Sequence, residues 1–253
     1  MIRVEGLVRR YGSTLAVDGV SFHVAAGELL ALVGASGSGK TTTLKMINRL
    51  VEPDGGRVVV EGRDALSLPP HLLRRGIGYV FQGVGLFPHL TVGGNVAVPL
   101  SLLRWPRERT RQRVLELLAL VELEPELAAR YPAALSGGQQ QRVGVARALA
   151  ASPRVMLLDE PFAALDPLTR NRLQQSFDRL RHGLALTAVF VTHDVAEAVA
   201  LADRIGVMRA GRLVQIGRPG ELVSRPADDD VARLLDTPLR QARLVADRLR
   251  AER

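Results

Sequence analysis

Residues 34–41 have the composition and order of a phosphate-binding loop. They match the pattern G-x-x-x-x-G-K-[ST], which ends in Lys40 and Thr41, and an apolar run precedes them. Glycines let successive backbone N–H groups converge on phosphate oxygens, while the lysine adds a positive charge and the threonine hydroxyl binds Mg²⁺. An ordinary glycine-rich turn is the alternative, but this pattern between a strand and a helix is rare by chance. We therefore predict nucleotide contacts from Gly34, Ala35, Ser36, Gly37, Ser38, Gly39, Lys40, Thr41 and Thr42.

Two acidic residues follow another apolar segment. Residues 155–158 are a run of four apolar residues typical of a buried strand, and Asp159 and Glu160 come directly after it. Ligands bind at the carboxyl ends of strands in parallel sheets, so these carboxylates are expected beside the nucleotide. We predict that Asp159 joins the Mg²⁺ shell and that Glu160 is the general base for the attacking water. The alternative is a solvated strand end with no ligand.

A second glycine-rich turn, residues 135–141, reads Leu-Ser-Gly-Gly-Gln-Gln-Gln. It precedes a helical pattern with Val143, Ala146 and Leu149 on one face, and the N-terminus of a helix attracts anions. One nucleotide does not need two such anion sites on one chain, whereas two chains that face each other do. The pattern therefore favours a pair of chains.

With these three motifs the sequence resembles the ATP-binding subunits of ABC transporters, whose signature motif is LSGGQ. The resemblance covers about residues 2–225 and implies an ATPase with ATP and Mg²⁺ as cofactors and a second ATPase subunit, giving a homodimer. Each ATP is then held between the phosphate loop of one subunit and the signature helix of the other. The resemblance also implies roles for single residues. Tyr11 stacks on adenine, Gln82 contacts Mg²⁺ and the attacking water, His193 contacts the γ-phosphate, the D-loop is Ala164-Leu165-Asp166, and the signature contacts come from Ser136, Gly137, Gly138 and Gln139.

Each of the single residues also has an ordinary structural interpretation. The tyrosine is then a half-buried aromatic residue and the glutamine a loop residue. Asp166, followed by Pro167, is the N-cap of a helix. His193 precedes Asp194 and Glu197, whose spacing is typical of a capping box. These interpretations lose weight once the phosphate loop, the acidic strand end and the signature occur in one chain.

The elements that must position these residues are strands alternating with helices. Leu29–Val33 is a continuous apolar run typical of a strand buried on both faces, and residues 155–158 and Thr187–Val191 are two more candidates for buried strands. Residues 1–33 predict short strands with turns, and helical periodicity dominates from about 88 to 152. We therefore predict an α/β fold of the P-loop ABC ATPase type, with a mainly parallel core sheet, an N-terminal antiparallel β part and a helical insertion at about 88–152.

We place the ATPase domain at residues 1–225 and a C-terminal helical tail at 226–253. From Leu239 the tail carries five arginines, and we expect a solvated helix that packs loosely on the core, with contact to anionic lipid as the alternative. Many members of the subfamily named below carry a pair of CBS domains after the ATPase, and we expect none here.

Composition excludes several classes of protein. The 253 residues contain no cysteine, which excludes disulfides, thiol nucleophiles and cysteine-bound metals. The net charge is +8 at pH 7, but the basic residues are spread along the chain and only 4% of residues are aromatic, so we expect no nucleic acid partner. The charge-free segment at residues 83–103 is broken by prolines and glycines and cannot form a membrane-spanning helix.

This charge-free segment has a use in the family that the sequence resembles. There, the region after Gln82 forms a groove that receives a coupling helix of the membrane subunit, and Leu86 and Phe87 are the candidates for that contact. The alternative is that both side chains pack under the helical insertion. The resemblance thus implies integral-membrane permease subunits and an extracytoplasmic substrate-binding protein as partners. It places this chain, as a peripheral subunit, on the cytoplasmic face of the membrane.

A finer resemblance is to the importers of osmoprotectants such as glycine betaine, choline and carnitine. It is carried by residues 44–53, 77–82, 85–92 and 139–148. One departure is Gly94, where that subfamily commonly has an acid that completes a capping box from Thr91. Two alternatives stay open: an importer of another solute such as an amino acid, and a soluble ABC ATPase that acts on ribosomes or DNA. A catalytically inactive module is disfavoured because the loop lysine, both acids and the histidine are all present.

Overall fold

Ten strands among the described residues form two sheets. The computed structural model describes residues 1–83, 85–163, 165–236 and 248. In chain order the strands are β1 (Ile2–Tyr11), β2 (Thr14–Val24), β3 (Leu29–Val33), β4 (Gly55–Val60), β5 (Arg63–Asp64), β6 (Ile77–Val80), β7 (Val155–Asp159), β8 (Thr187–Val191), β9 (Arg204–Arg209) and β10 (Arg212–Gly217). One sheet is antiparallel with the order β2-β1-β4-β5, and the other has the order β10-β9-β3-β8-β7-β6. The predicted fold class is confirmed.

The six-stranded sheet is parallel except for β10, which pairs antiparallel with β9. Every residue of β3, β7 and β8 is buried, which is why these strands are apolar except for Asp159 at the end of β7 and Thr187 at the start of β8. Because the strands are parallel, their carboxyl ends meet at one edge of the sheet. Val191 of β8 pairs with Asp159 on one side and with Leu32 of β3 on the other. The acidic end of β7 and the start of the phosphate loop therefore share that edge.

The α-helices in the described part of the chain are α1 (Lys40–Ile47), α2 (Pro70–Arg75), α3 (Val92–Leu102), α4 (Arg107–Leu120), α5 (Gly137–Leu149), α6 (Pro167–Gly183), α7 (Val195–Leu201) and α8 (Pro219–Ser224). Helices α3, α4 and α5 pack together in the region predicted as the insertion. Residues 229–236 are also helical, but residues 237–247 and 249–253 of the predicted tail lie outside the described residues. Within the described residues, no helix combines the length and apolar character that crossing a bilayer requires.

The core lies on both faces of the six-stranded sheet, because alternate residues of β3 point to opposite sides. Leu30 and Leu32 pack with the antiparallel sheet and α1, whereas Leu29, Ala31 and Val33 pack with the helical insertion and α6. All five side chains are fully buried, and burying a leucine contributes about 1.5–3 kcal/mol to folding. Because both faces of the sheet are packed, the strand ends that carry the candidate site are rigid.

Candidate functional site

The phosphate loop, residues 34–41, connects the carboxyl end of β3 to the first turn of α1. Its glycines adopt left-handed backbone angles, with φ of 148° at Gly34, 76° at Gly37 and 98° at Gly39. A Cβ atom at Gly39 would lie 2.5 Å from the carbonyl oxygen of Ala16, and one at Gly34 would collide with the carbonyl oxygen of Met208. Larger residues do not fit at either position, so the glycines allow β2 and β9 to close on the loop.

Lys40 is folded back onto the phosphate loop. Its ammonium group donates hydrogen bonds to the carbonyl oxygens of Gly34 and Ala35, at 2.8 and 2.9 Å, and to Ser38 Oγ at 3.3 Å. Burial lowers the pKa of this ammonium, while the charges of two nearby carboxylates raise it. Its acceptors are uncharged oxygens, and a phosphate oxygen, being anionic, is a stronger acceptor than any of them. The lysine is thus already placed at the loop for an anion.

Thr41 and Asp159 meet beside this lysine. Asp159 ends β7 and is 1% exposed, and its Oδ1 accepts a hydrogen bond of 2.8 Å from the Thr41 hydroxyl. Burial raises the pKa of Asp159, and the hydrogen bond from Thr41 lowers it in part. Oδ2 is buried and has no hydrogen-bond partner among the described residues. Such an oxygen costs free energy unless a cation or a donor meets it.

These two side chains fit Mg²⁺. The ion binds oxygen ligands, and it typically takes one or two carboxylates from the protein and the other ligands from phosphates and water. Thr41 supplies a hydroxyl and Asp159 a carboxylate oxygen that lacks a partner. Among the residues that the structure describes, no group of three or more His, Cys, Asp or Glu side chains could hold a metal ion.

Glu160 and His193 lie side by side at the same edge. Glu160 follows β7 with a φ of 48°, and its N–H donates a hydrogen bond of 2.9 Å to the carbonyl oxygen of Val191. This left-handed turn is strained for a residue other than glycine, and it brings the carboxylate to 3.2 Å from Nδ1 of His193. The histidine is largely exposed and Glu160 partly so. We call residues 34–41, 159, 160 and 193 the nucleotide edge.

No hydrogen bond or ion pair among the described residues joins Tyr11 or Gln82 to the nucleotide edge. Gln82 is exposed two residues after β6, whose Val80 pairs with Leu158 of β7. Tyr11 ends β1 and is 47% exposed, and the Arg9 guanidinium lies 4.7 Å from the centre of its ring. The contacts predicted for both residues stay predictions.

Residues 136–139 begin α5, and the described contacts do not bring them to the phosphate loop of the same chain. Ser136 Oγ accepts a hydrogen bond of 3.2 Å from the N–H of Gln139, and Gln139 Oε1 accepts one of 2.9 Å from the N–H of Ser136. These two hydrogen bonds form a capping box, a structural role that our interpretation of the motif did not include. Ser136 and Gly137 are exposed and Gly138 and Gln139 are partly exposed, as a contact with a second chain requires.

Asp166 caps α6, as the ordinary interpretation predicted. Its carboxylate accepts a hydrogen bond of 3.0 Å from the N–H of Thr169, and Pro167 occupies the first turn. Hydrogen bonds from Thr169 lower the pKa of Asp166. Ala164 of the D-loop lies outside the described residues, and a nucleotide contact from Asp166 stays a prediction.

A groove of about 480 Å³ lies beside β6, and we call it the aromatic groove. It is lined by apolar side chains and arginines, among them Phe81, Phe87, Val98, Leu102, Arg75 and Arg147. The Arg147 guanidinium lies 5.9 Å from the ring centres of both Phe81 and Phe87, and both rings are more than one third exposed. Leu86 instead packs against the core of the helical insertion. The two interpretations of this segment therefore divide between Leu86, which packs, and Phe87, which faces the groove.

Sequence reasoning missed Asn95, which holds the loop that carries Phe87. The Asn95 side chain is fully buried on α3, and its Oδ1 accepts a hydrogen bond of 2.7 Å from the N–H of Phe87. Its Nδ2 donates to the carbonyl oxygens of Phe87, Leu90 and Thr91 at 3.0–3.1 Å. An asparagine among the apolar residues of a helix was the available signal, because a buried amide must find partners.

The ordinary interpretation of Asp194 and Glu197 as a capping box is right for Asp194 and wrong for Glu197. Asp194 does cap α7, since its Oδ1 accepts hydrogen bonds from the N–H groups of Ala196 and Glu197. The Glu197 side chain, however, accepts a hydrogen bond of 2.8 Å from the Thr192 hydroxyl. No pattern in the sequence distinguishes these two uses of the glutamate.

Comparison with known proteins places this geometry in context. The family model described as ABC transporter matches residues 17–163. The chain is 50% identical over 232 residues to the glycine betaine/carnitine/choline transport ATP-binding protein OpuCA of Bacillus subtilis (strain 168), covering 91% of this chain and 61% of that protein. It is 48% identical over 257 residues to the glycine betaine uptake system ATP-binding protein YehX of Escherichia coli (strain K12), covering 100% of this chain and 83% of that protein. The chain spans about three fifths of the length of the first curated relatives that it matches.

A solved structure agrees with the fold. The dimeric, post-hydrolysis ATP-binding cassette MJ0796 bound to ADP and Pi matches this chain with a TM-score of 0.80 at 34% identity. The match covers 86% of this chain and 98% of that one. The resemblance inferred from the motifs is confirmed by these comparisons.

Proposed function

The chain belongs to the ABC transporter family, and from that premise we propose that it is the ATP-hydrolysing subunit of a binding-protein-dependent importer. Its cargo is an osmoprotectant such as glycine betaine, choline or carnitine. It acts as a homodimer on the cytoplasmic face of the membrane, beneath integral-membrane permease subunits that receive cargo from an extracytoplasmic binding protein. The observation that carries the proposal is the nucleotide edge, where a loop lysine, two carboxylates and a histidine share one edge of the sheet.

The phosphates of ATP bind at the loop. Lys40 exchanges its loop acceptors for oxygens of the β- and γ-phosphates, and the N-terminus of α1 adds its positive dipole. Thr41 and Asp159 would hold Mg²⁺, and Gln82, exposed in the segment after β6, is the further candidate ligand. Such an ion would supply positive charge that offsets the negative charge of the phosphate oxygens.

Hydrolysis is carried out by the acid and the histidine. Glu160 accepts a proton from water as the water oxygen attacks the γ-phosphorus, and the bond from that phosphorus to the bridging oxygen breaks, leaving ADP and phosphate. His193, whose Nδ1 lies 3.2 Å from the Glu160 carboxylate, contacts the γ-phosphate in this proposal. The left-handed φ of 48° at Glu160 supports a functional role, because strained backbone of this kind clusters at active sites.

A second copy of the chain completes the site. The start of α5, with Ser136 and Gly137 exposed and Gly138 and Gln139 partly so, closes on the ATP held by the partner. Because the closed pair binds ATP better than the open pair does, ATP shifts the population towards closure and hydrolysis allows reopening. The dimeric state of the similar cassette MJ0796 supports this arrangement.

The aromatic groove receives the permease. Exposed aromatic surface of this kind marks a protein contact, and Phe87 presents its ring at the groove. Support for an osmoprotectant as cargo comes from the two relatives, which are about half identical to this chain and whose names refer to glycine betaine. The cargo itself is selected by the binding protein and the permease.

The decisive test of the ATPase mechanism is Glu160→Gln. This variant should bind ATP within about threefold of the native affinity and form ATP-dependent dimers, while phosphate release falls at least about a hundredfold. Glu61→Gln is the matched control, because Glu61 also has a left-handed φ, of 51°, but lies in the turn after β4. Normal turnover in Glu160→Gln would show that another group is the base.

The transport proposal is tested by purification from detergent-solubilised membranes. The tagged chain should bring down a multi-spanning permease and a substrate-binding protein, and the binding protein is then titrated with glycine betaine, choline, carnitine and amino acids. Binding of amino acids alone would favour the importer of another solute. Recovery of ribosomal or DNA-repair proteins in place of a permease would contradict a transport role.

A further inference from the structure

A second buried carboxylate, Glu197 on α7, lies outside the nucleotide edge. It is 7% exposed, and its Oε2 accepts a hydrogen bond of 2.8 Å from the Thr192 hydroxyl, while its Oε1 accepts one of 3.2 Å from Gln174 Nε2. Burial raises the pKa of Glu197, and the hydrogen bond from Thr192 lowers it in part. A buried carboxyl group is costly, and capping of α7 does not require it, since Asp194 already fills that role.

The contact with Thr192 connects Glu197 to the histidine of the nucleotide edge. Thr192 directly follows β8 and is 2% exposed. Its hydroxyl donates to Glu197 and accepts a hydrogen bond of 3.0 Å from the N–H of Asp194. His193 lies between Thr192 and Asp194, the two residues that the second of these hydrogen bonds joins. Because the His193 side chain is itself largely exposed, the backbone turn at 192–194 determines where its imidazole lies.

The contacts with α6 connect Glu197 to the predicted D-loop. Arg170 Nε lies 3.8 Å from Glu197 Oε1, and one terminal nitrogen of the same guanidinium lies 3.6 Å from Asp194 Oδ2. The other terminal nitrogen donates a hydrogen bond of 3.2 Å to the carbonyl oxygen of Leu165. Leu165 immediately precedes Asp166. One guanidinium therefore touches both the histidine turn and the segment that leads into the D-loop aspartate.

We propose that Glu197 is a positioning residue, which through Thr192 holds His193 in a fixed relation to the D-loop end of α6. A displacement at Leu165 on docking of a second chain then reaches the histidine turn through Arg170 and Glu197. The inference rests on the proposed function, because it takes His193 to act on ATP. Glu197 itself does not touch the reacting atoms.

The test is a pair of substitutions at Thr192. Thr192→Val removes the hydroxyl at nearly constant volume and should lower kcat about tenfold or more, with KM for ATP within about twofold, because the imidazole is misplaced and ATP binding is not affected. Thr192→Ser restores the hydroxyl and should return kcat to within about twofold of the native value. Steady-state ATP hydrolysis and the thermal midpoint are measured for each.

Thr187→Val is the matched control. Thr187 begins the same strand, is fully buried, and its hydroxyl accepts a hydrogen bond of 2.9 Å from the N–H of Gly27. This variant loses a bond of the same kind at the opposite end of β8 and should keep its kcat. Equal losses of kcat in Thr187→Val and Thr192→Val would overturn the proposal, since general weakening of the strand would then explain both.

Glu197→Leu gives a second test. It should lower kcat to the same extent as Thr192→Val, and the double variant should lose no more than either single one, because both changes break one link. Additive losses would overturn the proposal, and the Thr192 series decides it if Glu197→Leu fails to fold. If the native chain does not hydrolyse ATP, or if Glu160→Gln leaves its hydrolysis unchanged, the proposed ATPase mechanism is refuted. That outcome is distinct from failure of the Glu197 proposal, which the Thr192 and Glu197 variants test.

Discussion

The nucleotide edge buries its lysine and its first carboxylate, whereas the aromatic groove leaves its two phenylalanine rings partly exposed. Both arrangements cost folding free energy, since charge prefers water and aromatic surface avoids it. Each cost is relieved by a ligand of the opposite kind: an anion with its cation at the edge, and an apolar segment at the groove. The contrast indicates two binding surfaces that differ in chemistry and serve different partners.

The two regions also differ in what holds them. The nucleotide edge is built on the ends of β3, β7 and β8, which are buried on both faces. The aromatic groove depends on the segment around Phe87, which has no regular secondary structure and is held by the four hydrogen bonds of Asn95. Sites on sheet ends are rigid, whereas a loop held by one side chain can adjust to its partner.

The largest effect is expected for Lys40→Ala, which should weaken ATP binding at least about a hundredfold, because the charge at the phosphates is removed. Isothermal titration calorimetry measures the affinity. Lys45→Ala is the control. Lys45 lies on the same helix and acts on Asp159 through its charge, so its removal should change the ATP affinity by no more than about threefold. Lys40→Ala should still co-purify with the permease. If it loses the permease as well as ATP, the two surfaces are not independent.

The converse change is Phe87→Asp. A charge on the exposed ring position should prevent co-purification with the permease, while ATP binding and hydrolysis by the isolated chain stay within about twofold of native. Leu184→Asp is the matched control, since Leu184 is an exposed apolar residue at the far end of α6. Intact assembly of Phe87→Asp with the permease would remove the groove from the docking surface.

A smaller effect is expected for Asp159→Asn in the chain without nucleotide. Burial raises the pKa of Asp159 in the folded state above its pKa in the unfolded state. The ionised carboxylate therefore destabilises the fold at high pH, and this destabilisation is gone once the pH falls below the unfolded-state pKa. The variant should therefore melt about 3–5 °C higher at pH 7, with the gain shrinking towards pH 4. Scanning calorimetry at both values measures this.

The control for this pH dependence is Asp166→Asn. Hydrogen bonds from Thr169 lower the pKa of Asp166 in the folded state. The ionised carboxylate therefore stabilises the fold above the unfolded-state pKa, and this stabilisation is lost as the pH falls through the folded-state pKa. Its replacement should lower the melting temperature at pH 7, opposite in sign to Asp159→Asn. The same sign in both variants would contradict our account of the nucleotide edge as a place of buried, costly charge.

The smallest effect is expected beside the groove, for Gly94→Glu. Gly94 N–H already donates to Thr91 Oγ1, and a glutamate at this position would complete the capping box and remove a helical glycine. We expect a gain of about 1 kcal/mol in unfolding free energy and about 2 °C in melting temperature. Gly93→Ala should not stabilise, because its Cβ would lie 3.1 Å from the carbonyl oxygen of Ala128. Equal gains would point to helix propensity alone.

Features that depend on neighbouring residues could be predicted from the sequence. The apolar run of residues 155–158 predicted a buried strand, and the acid that follows it had to emerge at the strand's carboxyl end. The loop around Lys40 was predictable for the same reason, since its glycines serve a turn formed by consecutive residues. The spacing of Ser136 and Gln139 also predicts a capping box, but we interpreted these residues only as part of the signature motif.

Contacts between distant segments could not be predicted in this way. Glu197 meets Gln174, which is 23 positions away on another helix, and the choice between that contact and a local cap depends on how α6 and α7 pack. The division between Leu86 and Phe87 likewise depends on which side of the loop the insertion covers. Pairing of the signature turn with a second chain involves a surface that one chain does not contain.

Chemical footprinting of lysines can report on the phosphate loop, because Lys40 lies in it. Only two of its 34 basic residues are lysines, so a reagent that acylates side-chain amines marks Lys40 and Lys45 and leaves the arginines untouched. Lys40 is only 6% exposed and its ammonium is hydrogen-bonded to the loop, so its acylation depends on opening of the loop, which a bound phosphate opposes. A mass spectrum of two peptides can therefore report occupancy of the phosphate loop, with Lys45 as the internal standard.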